Sequence, residues 1–425
     1  MSLETLVIPE IYLADHLFLL VGTNPLPNFV AAKLLLKPGG ALYLVHSSGT
    51  EQIAERLSRY WIDVEKSAQP KFIRVAEADG ADIHRKIDSD LQQISSGVVG
   101  LNYTGGTKIM SVHACRTMLD YQGKKQSGVV LSYLDARTNK VHIEYGNNPP
   151  FGSDSVIFDV APTLEQIIKL HVVELSSAIE RDAMLPDLAA RFAQAHEAPE
   201  TAKAWRAWCE NVLRSEKTRT NSGKWKEDNQ LRNVELTLPV DPLLQPLTTA
   251  IREAFRISHE PFSLWAASQA GGFKKAKYLC KWLDGTWFEY HVLNMLKLIH
   301  EGDFKDRCRL GDIGMGLKPR NESDRSEYET DIVVMQGYRL YLISVTTDDA
   351  AGMCKLKLFE AERRAQDMGG DAAYVGLICL NDAPDKLQKQ IGRAWDDENR
   401  VRVFGRPDLP NLADRIAKWF ISAGS

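Results

Sequence analysis

The chain has 425 residues and a formal net charge of −4. That length allows two or three domains, each with its own core, and the charge excludes a basic nucleic-acid coat, so any polyanion site must be a local patch. Six scattered cysteines without a Cys-x-x-Cys pair argue against a zinc site or disulfide framework and suit a reducing cytosol.

An N-terminus with acids and Pro9 argues against a signal peptide, and no apolar run reaches the length of a membrane span. The expectation is a cytoplasmic protein with no membrane partner. From there the first 160 residues alternate strand and helix patterns. His16–Gly22 reads as a buried strand ending in a turn with Thr23 and Asn24, followed by a helix over Phe29–Leu36. Ala41–His46 is a second strand, ending at Ser47, Ser48, Gly49 and Thr50, with a helix from about Glu51. Lys71–Val75 and Gly97–Asn102 are the third and fourth strands, with a helix over Ile83–Ile94 between them and another running through Leu119. Val129–Leu134 and Val141–Tyr145 form a closing hairpin. This alternation predicts a parallel sheet covered on both faces, with ligands beyond the carboxyl ends of its strands.

Residues 161–273 read as a helical or winged-helix-like connector with one strand-like run, Val234–Val240. Lys203–Arg232 is locally basic and contains Trp205, Trp208 and Trp225. It is either a helical connector with a solvated face or a surface that touches nucleic acid. Thr218–Gln230 reads as a polar, mobile loop.

A third module spans 274–425. Asp284–His300 has helical spacing, with Trp287, Val292, Leu296 and Ile299 on one face, and His291 and His300 read as ordinary helix residues. Gly311–Glu329 reads as a polar loop. Asp331–Met335 and Arg339–Val345 flank a hairpin turn at Gly337, Met353–Met368 is a helix and Ala373–Leu380 a strand.

Two constellations carry chemistry. In the first, Asn102-Tyr103-Thr104-Gly105-Gly106-Thr107-Lys108 follows a strand and opens a helix. Glycines let the backbone approach a ligand, the first helix amides point at an anion, and Thr104, Thr107 and Lys108 add donors and a charge. Gly106 stands where a Walker A loop needs its lysine, and the run is not Gly-x-Gly-x-x-Gly, so nucleotide hydrolysis and a dinucleotide cofactor lack support. The bland alternative is a tight turn with a surface lysine. Asn102 to Met110 resembles the signature turn of CRISPR-associated Rossmann-fold (CARF) domains over about the first 150 residues. The resemblance implies a cyclic oligoadenylate ligand, expected to be the tetramer, bound across a homodimer. It also implies a pocket contacted by Asn102, Thr104, Gly105, Gly106, Thr107 and Lys108 and lined by the turns holding Thr23, Asn24, Ser47, Ser48 and Thr50.

In the second constellation, Glu289 lies on a helix and Asp331 on one limb of the hairpin opposite Ser344-Val345-Thr346. Acidic residues on adjacent elements suit Mg²⁺ or Mn²⁺, which activates water for attack on phosphorus. The outline resembles a PD-(D/E)xK nuclease: Asp331 matches the first aspartate and Glu289 the helix acid. It departs where Ser344-Val345-Thr346 replaces Glu-x-Lys; the Val345 carbonyl remains available to a metal. Lys355, placed with Phe359 and Glu362 on the face expected to meet the core, is the replacement lysine, with Lys357 as its rival. Together these imply an α/β protein: a CARF Rossmann-like domain, a helical or winged-helix-like connector, and a restriction-endonuclease-like domain that cleaves DNA and/or RNA when the ligand binds. A regulator that binds nucleic acid without cutting is the alternative; a pocket that cleaves its own ligand is another.

Overall fold

The computed structural model describes residues 8–125, 128–146, 148–171, 174–320, 328–392 and 400–424. The first module is a seven-stranded sheet: β1 (Ala14–Leu20), β2 (Leu36–His46), β3 (Lys71–Arg74), β4 (Val99–Asn102), β5 (Val129–Asp135), β6 (Lys140–Tyr145) and β7 (Phe151–Ser155), in the order β3-β2-β1-β4-β5-β6-β7. β3 to β5 run parallel, joined by helices Leu26–Leu35, Glu51–Asp63, Gly80–Leu91 and Lys108–Lys125. β6 and β7 continue antiparallel. The expected hairpin is present, and β7 is an addition to it: Phe-Gly-Ser-Asp-Ser carries no apolar alternation, so pairing with β6 rather than local pattern makes it a strand.

The second large sheet has five strands in the order Leu310–Leu317, Thr330–Gln336, Arg339–Val345, Tyr374–Ile378, Val401–Phe404. Its first strand corrects the expectation of a polar loop over Gly311–Glu329. Gly311-Asp312-Ile313-Gly314-Met315-Gly316-Leu317 looks loop-like because of its three glycines. It is nonetheless held antiparallel to Thr330–Gln336, with Ile313, Met315 and Leu317 buried. Part of that loop, 321–327, lies outside the described residues.

Cores cross the three segments. One joins Phe29, Leu44 and Ile143 of the first module to Val333, Leu342 and Leu358 of the third. Another joins Phe192, Trp205 and Ile251 of the connector to Trp287, Ile332, Ile343 and Phe420. At the hairpin, the Tyr338 amide donates to the Ile157 carbonyl (3.2 Å) and its hydroxyl to Asn139 Oδ1 (3.0 Å). Gly337, at φ +58, leaves no room for a β-carbon against that same carbonyl.

The connector is mainly helical, with Glu235–Leu236 paired to Phe262–Ser263 and Glu174–Leu175 paired to Pro319–Arg320 of the third module. Trp205 and Trp208 are buried, and the Arg219 guanidinium covers Trp225 at 3.8 Å. Three arginines of the basic stretch are ion-paired: Arg206 with Asp349 (3.0 Å), and Arg214 and Arg219 with Asp284 (2.7 and 3.0 Å). The burial of Trp205 and Trp208 favours the connector reading, because indoles spent in a core are not free to stack on bases. Within Thr218–Gln230, Arg219 and Trp225 bridge antiparallel and Asp228 opens a short helix.

Burial holds the imidazoles of His196 and His291 neutral, with pKa values lowered to about 4. The unfolded chain titrates near 6.5, so it takes up protons first as pH falls. This contribution to stability is present above pH 6.5 and is lost as pH falls toward 4, by roughly 3 kcal/mol per histidine. Urea unfolding is expected to show that loss between pH 6.5 and 4, and His291→Gln to shallow the slope by up to one proton; an unchanged slope in that variant would contradict the assignment.

Candidate functional sites

The order β2-β1-β4 places a topological switch between β1 and β4, where chain connections leave in opposite directions and open a crevice. The turns after those two strands meet there. A β-carbon on Gly22 would stand 3.3 Å from the Gly106 amide; one on Gly105 would collide with the Leu20 carbonyl and lie 2.9 Å from the Gly22 amide. Gly106 adopts φ +77, a left-handed conformation that favours glycine. The glycine pair is thus demanded by backbone crossing as well as by any ligand. Gly105→Ala is expected to destabilise the protein by about 3 kcal/mol through overpacking. Urea unfolding measures this; an unperturbed midpoint would refute the crossing argument.

The polar residues of these turns divide into two groups. Asn102 is buried: its Nδ2 donates to Ser132 Oγ (3.1 Å) and its Oδ1 accepts from the Thr104 amide (3.3 Å). Thr104 Oγ1 accepts from the Leu134 amide (2.7 Å). Ser47 Oγ and Thr50 Oγ1 stand 3.5 Å apart, and Thr50 Oγ1 accepts from the Ser47 amide (3.0 Å). These four side chains shape the turns. Thr107 caps the Lys108–Lys125 helix, accepting from the Met110 amide (3.2 Å), and donates to the Glu77 carbonyl (3.3 Å). Thr23, Ser48, Gly106, Thr107 and Lys108 are exposed around the crevice mouth, so the surface offered to an anion is backbone amide, hydroxyl and one ammonium. Asn24 turns elsewhere: its Nδ2 donates to the carbonyl of Gly369 in the third module (3.4 Å). Ser132, which holds Asn102, was not singled out by sequence; a serine inside a β-strand carries no signal of its own.

In the third module the hairpin brings Asp331 onto Ser344, as expected. Ser344 Oγ and the Val345 amide both donate to Asp331 Oδ2, at 2.9 and 2.8 Å. Where Glu-x-Lys was expected, the strand therefore supplies two donors that orient the aspartate. The recorded contact from Val345 is its N–H rather than its carbonyl. Glu289, near the start of the Trp287–Glu301 helix, approaches the same place. Burial pushes its carboxyl well above the ordinary range, and the charges of Asp331, Glu329 and Glu180 push it further, against the pull of Lys357. Asp331 is also raised by burial; the Val345 and Ser344 donors, Lys357 and Arg364 oppose the shift.

The charge of Lys357 acts on both carboxylates, and the Ala351–Gly369 helix is not turned as the preference for Lys355 assumed. Cys354, Leu358, Ala361, Ala365 and Met368 form the buried face of the Ala351–Gly369 helix, while Phe359 is 49% exposed. Phe359 was the residue used to orient the helix, and it faces away from the core. With the helix turned this way, Lys357 and Arg364, seven positions apart, share the flank toward Asp331. Arg364 also donates to the Glu329 carbonyl (2.9 Å). Sequence reasoning missed Glu180, which arrives from the connector and accepts from the Tyr290 hydroxyl (2.6 Å). Its backbone bridges to Met315, a long-range pairing without a local signature. Beyond the strand end, a cavity of about 350 Å³ is lined by Arg206, Arg214, Asp284, Thr346, Thr347 and Asp348, among others.

Among the described residues no group of three or more His, Cys, Asp or Glu is arranged to hold a metal ion. Glu289 and Asp331 nevertheless form a pair of oxygen donors whose mutual repulsion a cation would relieve. Mg²⁺ characteristically takes only one or two protein carboxylates and keeps waters or substrate phosphate for the rest. The donor set suits a hard divalent ion.

No protein-family model and no curated protein matches the chain. Two solved structures share its fold over nearly the whole length. Protein VC1899 from Vibrio cholerae superposes with a TM-score of 0.70 at 16% identity, covering 96% of this chain and 99% of that one. Can2 from Sulfobacillus thermosulfidooxidans, solved in complex with cyclic tetra-adenylate, gives a TM-score of 0.68 at 16% identity, covering 95% and 99%. The expected α/β architecture, a Rossmann-like module joined through a helical connector to a second α/β module, is the fold this chain has. Among the described residues no helix is long and apolar enough to cross a membrane.

Proposed function

We propose that the chain senses a cyclic oligoadenylate through its first module and, in response, hydrolyses phosphodiester bonds of DNA and/or RNA with its third, using Mg²⁺ or Mn²⁺. The observation that carries the enzymatic half is the convergence of Glu289, Asp331 and Lys357 from three separate elements. The sensing half is supported by the Gly22 and Gly105–Gly106 turns meeting at the switch point and by the shared fold with a structure that holds cyclic tetra-adenylate.

In this reading the exposed amides of the Gly106–Lys108 turn, with Thr107, Ser48 and the Lys108 ammonium, face the phosphodiesters of the ring. A second copy of the chain supplies the same donors about a two-fold axis. The Lys108–Lys125 helix exposes Ile109, Val112 and Leu119, an apolar stripe at helical spacing that suits such a dimer. In the third module Glu289 and Asp331 would hold the cation, which when bound acidifies water and offsets charge on phosphorus. Ser344 and the Val345 amide keep Asp331 in one orientation. Lys357 brings a positive charge to where anionic charge grows in the transition state.

The alternative, a sensor that binds nucleic acid without cutting it, draws on the missing Glu-x-Lys carboxylate and on Asp331 Oδ2 being occupied by two donors. Incubating the protein with plasmid and with RNA, in Mn²⁺, with and without cyclic tetra-adenylate, separates the two. Ligand-stimulated cleavage is expected; tight ligand binding with no cleavage of either substrate would leave the regulator. Analysis of the adenylate ring after incubation alone tests whether the pocket degrades its own ligand.

A further inference from the structure

We infer that Asn24 is a positioning residue that ties the proposed adenylate pocket directly to the helix carrying Lys357. Asn24 lies two residues beyond Gly22, on the turn that abuts Gly105 and Gly106. Its side chain points into the seam between modules, with both its oxygen and its nitrogen hydrogen-bonded. Oδ1 accepts from the Leu26 amide (3.0 Å), fixing the entry to the Leu26–Leu35 helix, and stands 3.1 Å from His171 Nε2. Nδ2 donates to the Gly369 carbonyl (3.4 Å). Gly369 is the last residue of the Ala351–Gly369 helix, and Gly370 beyond it has φ +66. A β-carbon on Gly370 would collide with the Asn24 amide. The pocket turn and the end of the catalytic helix are therefore in van der Waals contact as well as hydrogen-bonded.

That helix is a stiff lever. Gly369 lies twelve positions after Lys357, about 18 Å at the usual rise per residue. Its buried face, from Cys354 to Met368, is locked into the core that the two modules share. A packed helix does not absorb a shift at one end by bending; it tends to move or stay as a unit. A second strut reinforces the joint. Arg56, on the helix that follows the Ser47–Thr50 turn, donates to the His171 carbonyl (2.5 Å), and His171 meets Asn24. The helix behind the Ser47–Thr50 turn is thus linked through His171 to Asn24, which holds the catalytic helix. On the functional reading above, a ring that binds better to a displaced Gly22–Asn24 turn would change the hold on Gly369 and with it the placing of Lys357 and Arg364 against Asp331. Because the modules share a core, no swing about a linker is needed.

The experiment uses the full-length chain and cyclic tetra-adenylate. Calorimetry reads binding, cleavage with and without the ring reads activation, and amide exchange reads the Gly370 N–H, which donates to the Gln366 carbonyl at the helix end. In the wild type the ring is expected to alter exchange at Gly370. Asn24→Ala is expected to bind the ring while its activation ratio falls about tenfold, the usual span of a coupling energy, and the Gly370 response disappears. Asn24→Asp, which can still accept from Leu26 but cannot donate to Gly369, is expected to behave like the alanine variant. A folded Asn24→Ala protein that is activated in the wild-type ratio, with an intact Gly370 response, overturns the coupling. So does a wild type that binds and cleaves without any change at Gly370, and that result leaves the functional reading standing. Absence of binding heat in the wild type removes the functional reading and the coupling with it.

Discussion

Asp331→Asn is expected to lower Mn²⁺-supported cleavage on the order of 10³-fold, since several kcal/mol of charge stabilisation rest on the cation it would hold. The same substitution is expected to remove any Mn²⁺-dependent rise in Tm. The second effect follows from the sign of the pKa shifts. Glu289 and Asp331 are both raised in the folded protein, by burial first and, at Glu289, then by neighbouring negative charge. A carboxyl raised on folding adds stability that is present below its unfolded pKa and is lost as pH rises through its folded pKa. At pH 7.5 the metal-free pair therefore works against the fold. A cation that binds only the folded state reverses this, by about 2.7 kcal/mol at a hundred times its Kd. Asparagine keeps an oxygen that can accept from Ser344 and Val345, so Asp331→Asn, like Glu289→Gln, should melt at a higher temperature than wild type without metal and fail to respond to Mn²⁺. Thermal melts at pH 7.5 and 5 check this. A metal shift of wild-type size in both variants, or one as large at pH 5 as at pH 7.5, would remove these residues from the site.

Lys357→Ala is expected to reduce cleavage about 10²- to 10³-fold, the range found when one preorganised transition-state donor is removed, and Lys355→Ala to leave it close to wild type. The two lysines are two positions apart and so lie on opposite flanks of one helix. The charge of Lys357 pulls on both carboxylates. It is held loosely, with Glu360 Oε2 at 3.7 Å, so its ammonium is available to an incoming phosphate. Parallel kcat measurements at saturating Mn²⁺ decide the matter; a large loss in Lys355→Ala with normal Lys357→Ala activity would reverse the assignment. Lys357→Arg, which keeps the charge but changes its shape, should recover part of the rate if charge placement is the role.

The sequence by itself determined the alternating α/β module, the hairpin that carries Asp331, and the glycine turn at Asn102–Lys108. Each is encoded locally: compact apolar runs closed by Gly, Pro or Ser, a two-limbed β-rich run about Gly337, and a Gly-Gly pair that only a close backbone crossing requires. What the tertiary structure alone decided concerns residues whose partners are distant in the chain. The Gly311–Leu317 segment is a strand because Thr330–Gln336 pairs with it, in spite of its glycines. The phase of the Ala351–Gly369 helix is set by small residues, Cys354, Ala361 and Ala365, which carry a weak hydrophobic signal. The larger Phe359 stays exposed, against the expectation that turned it and Lys355 toward the core. Glu180 had no local mark at all, and Asn24 was legible only as a turn residue, without its distant partner. Asn24 is spent on Gly369 and Glu180 on Tyr290, 345 and 110 positions away. Periodicity reports which face of an element is apolar, but not which distant chain will cover it, and at both candidate sites the functional geometry rests on that covering.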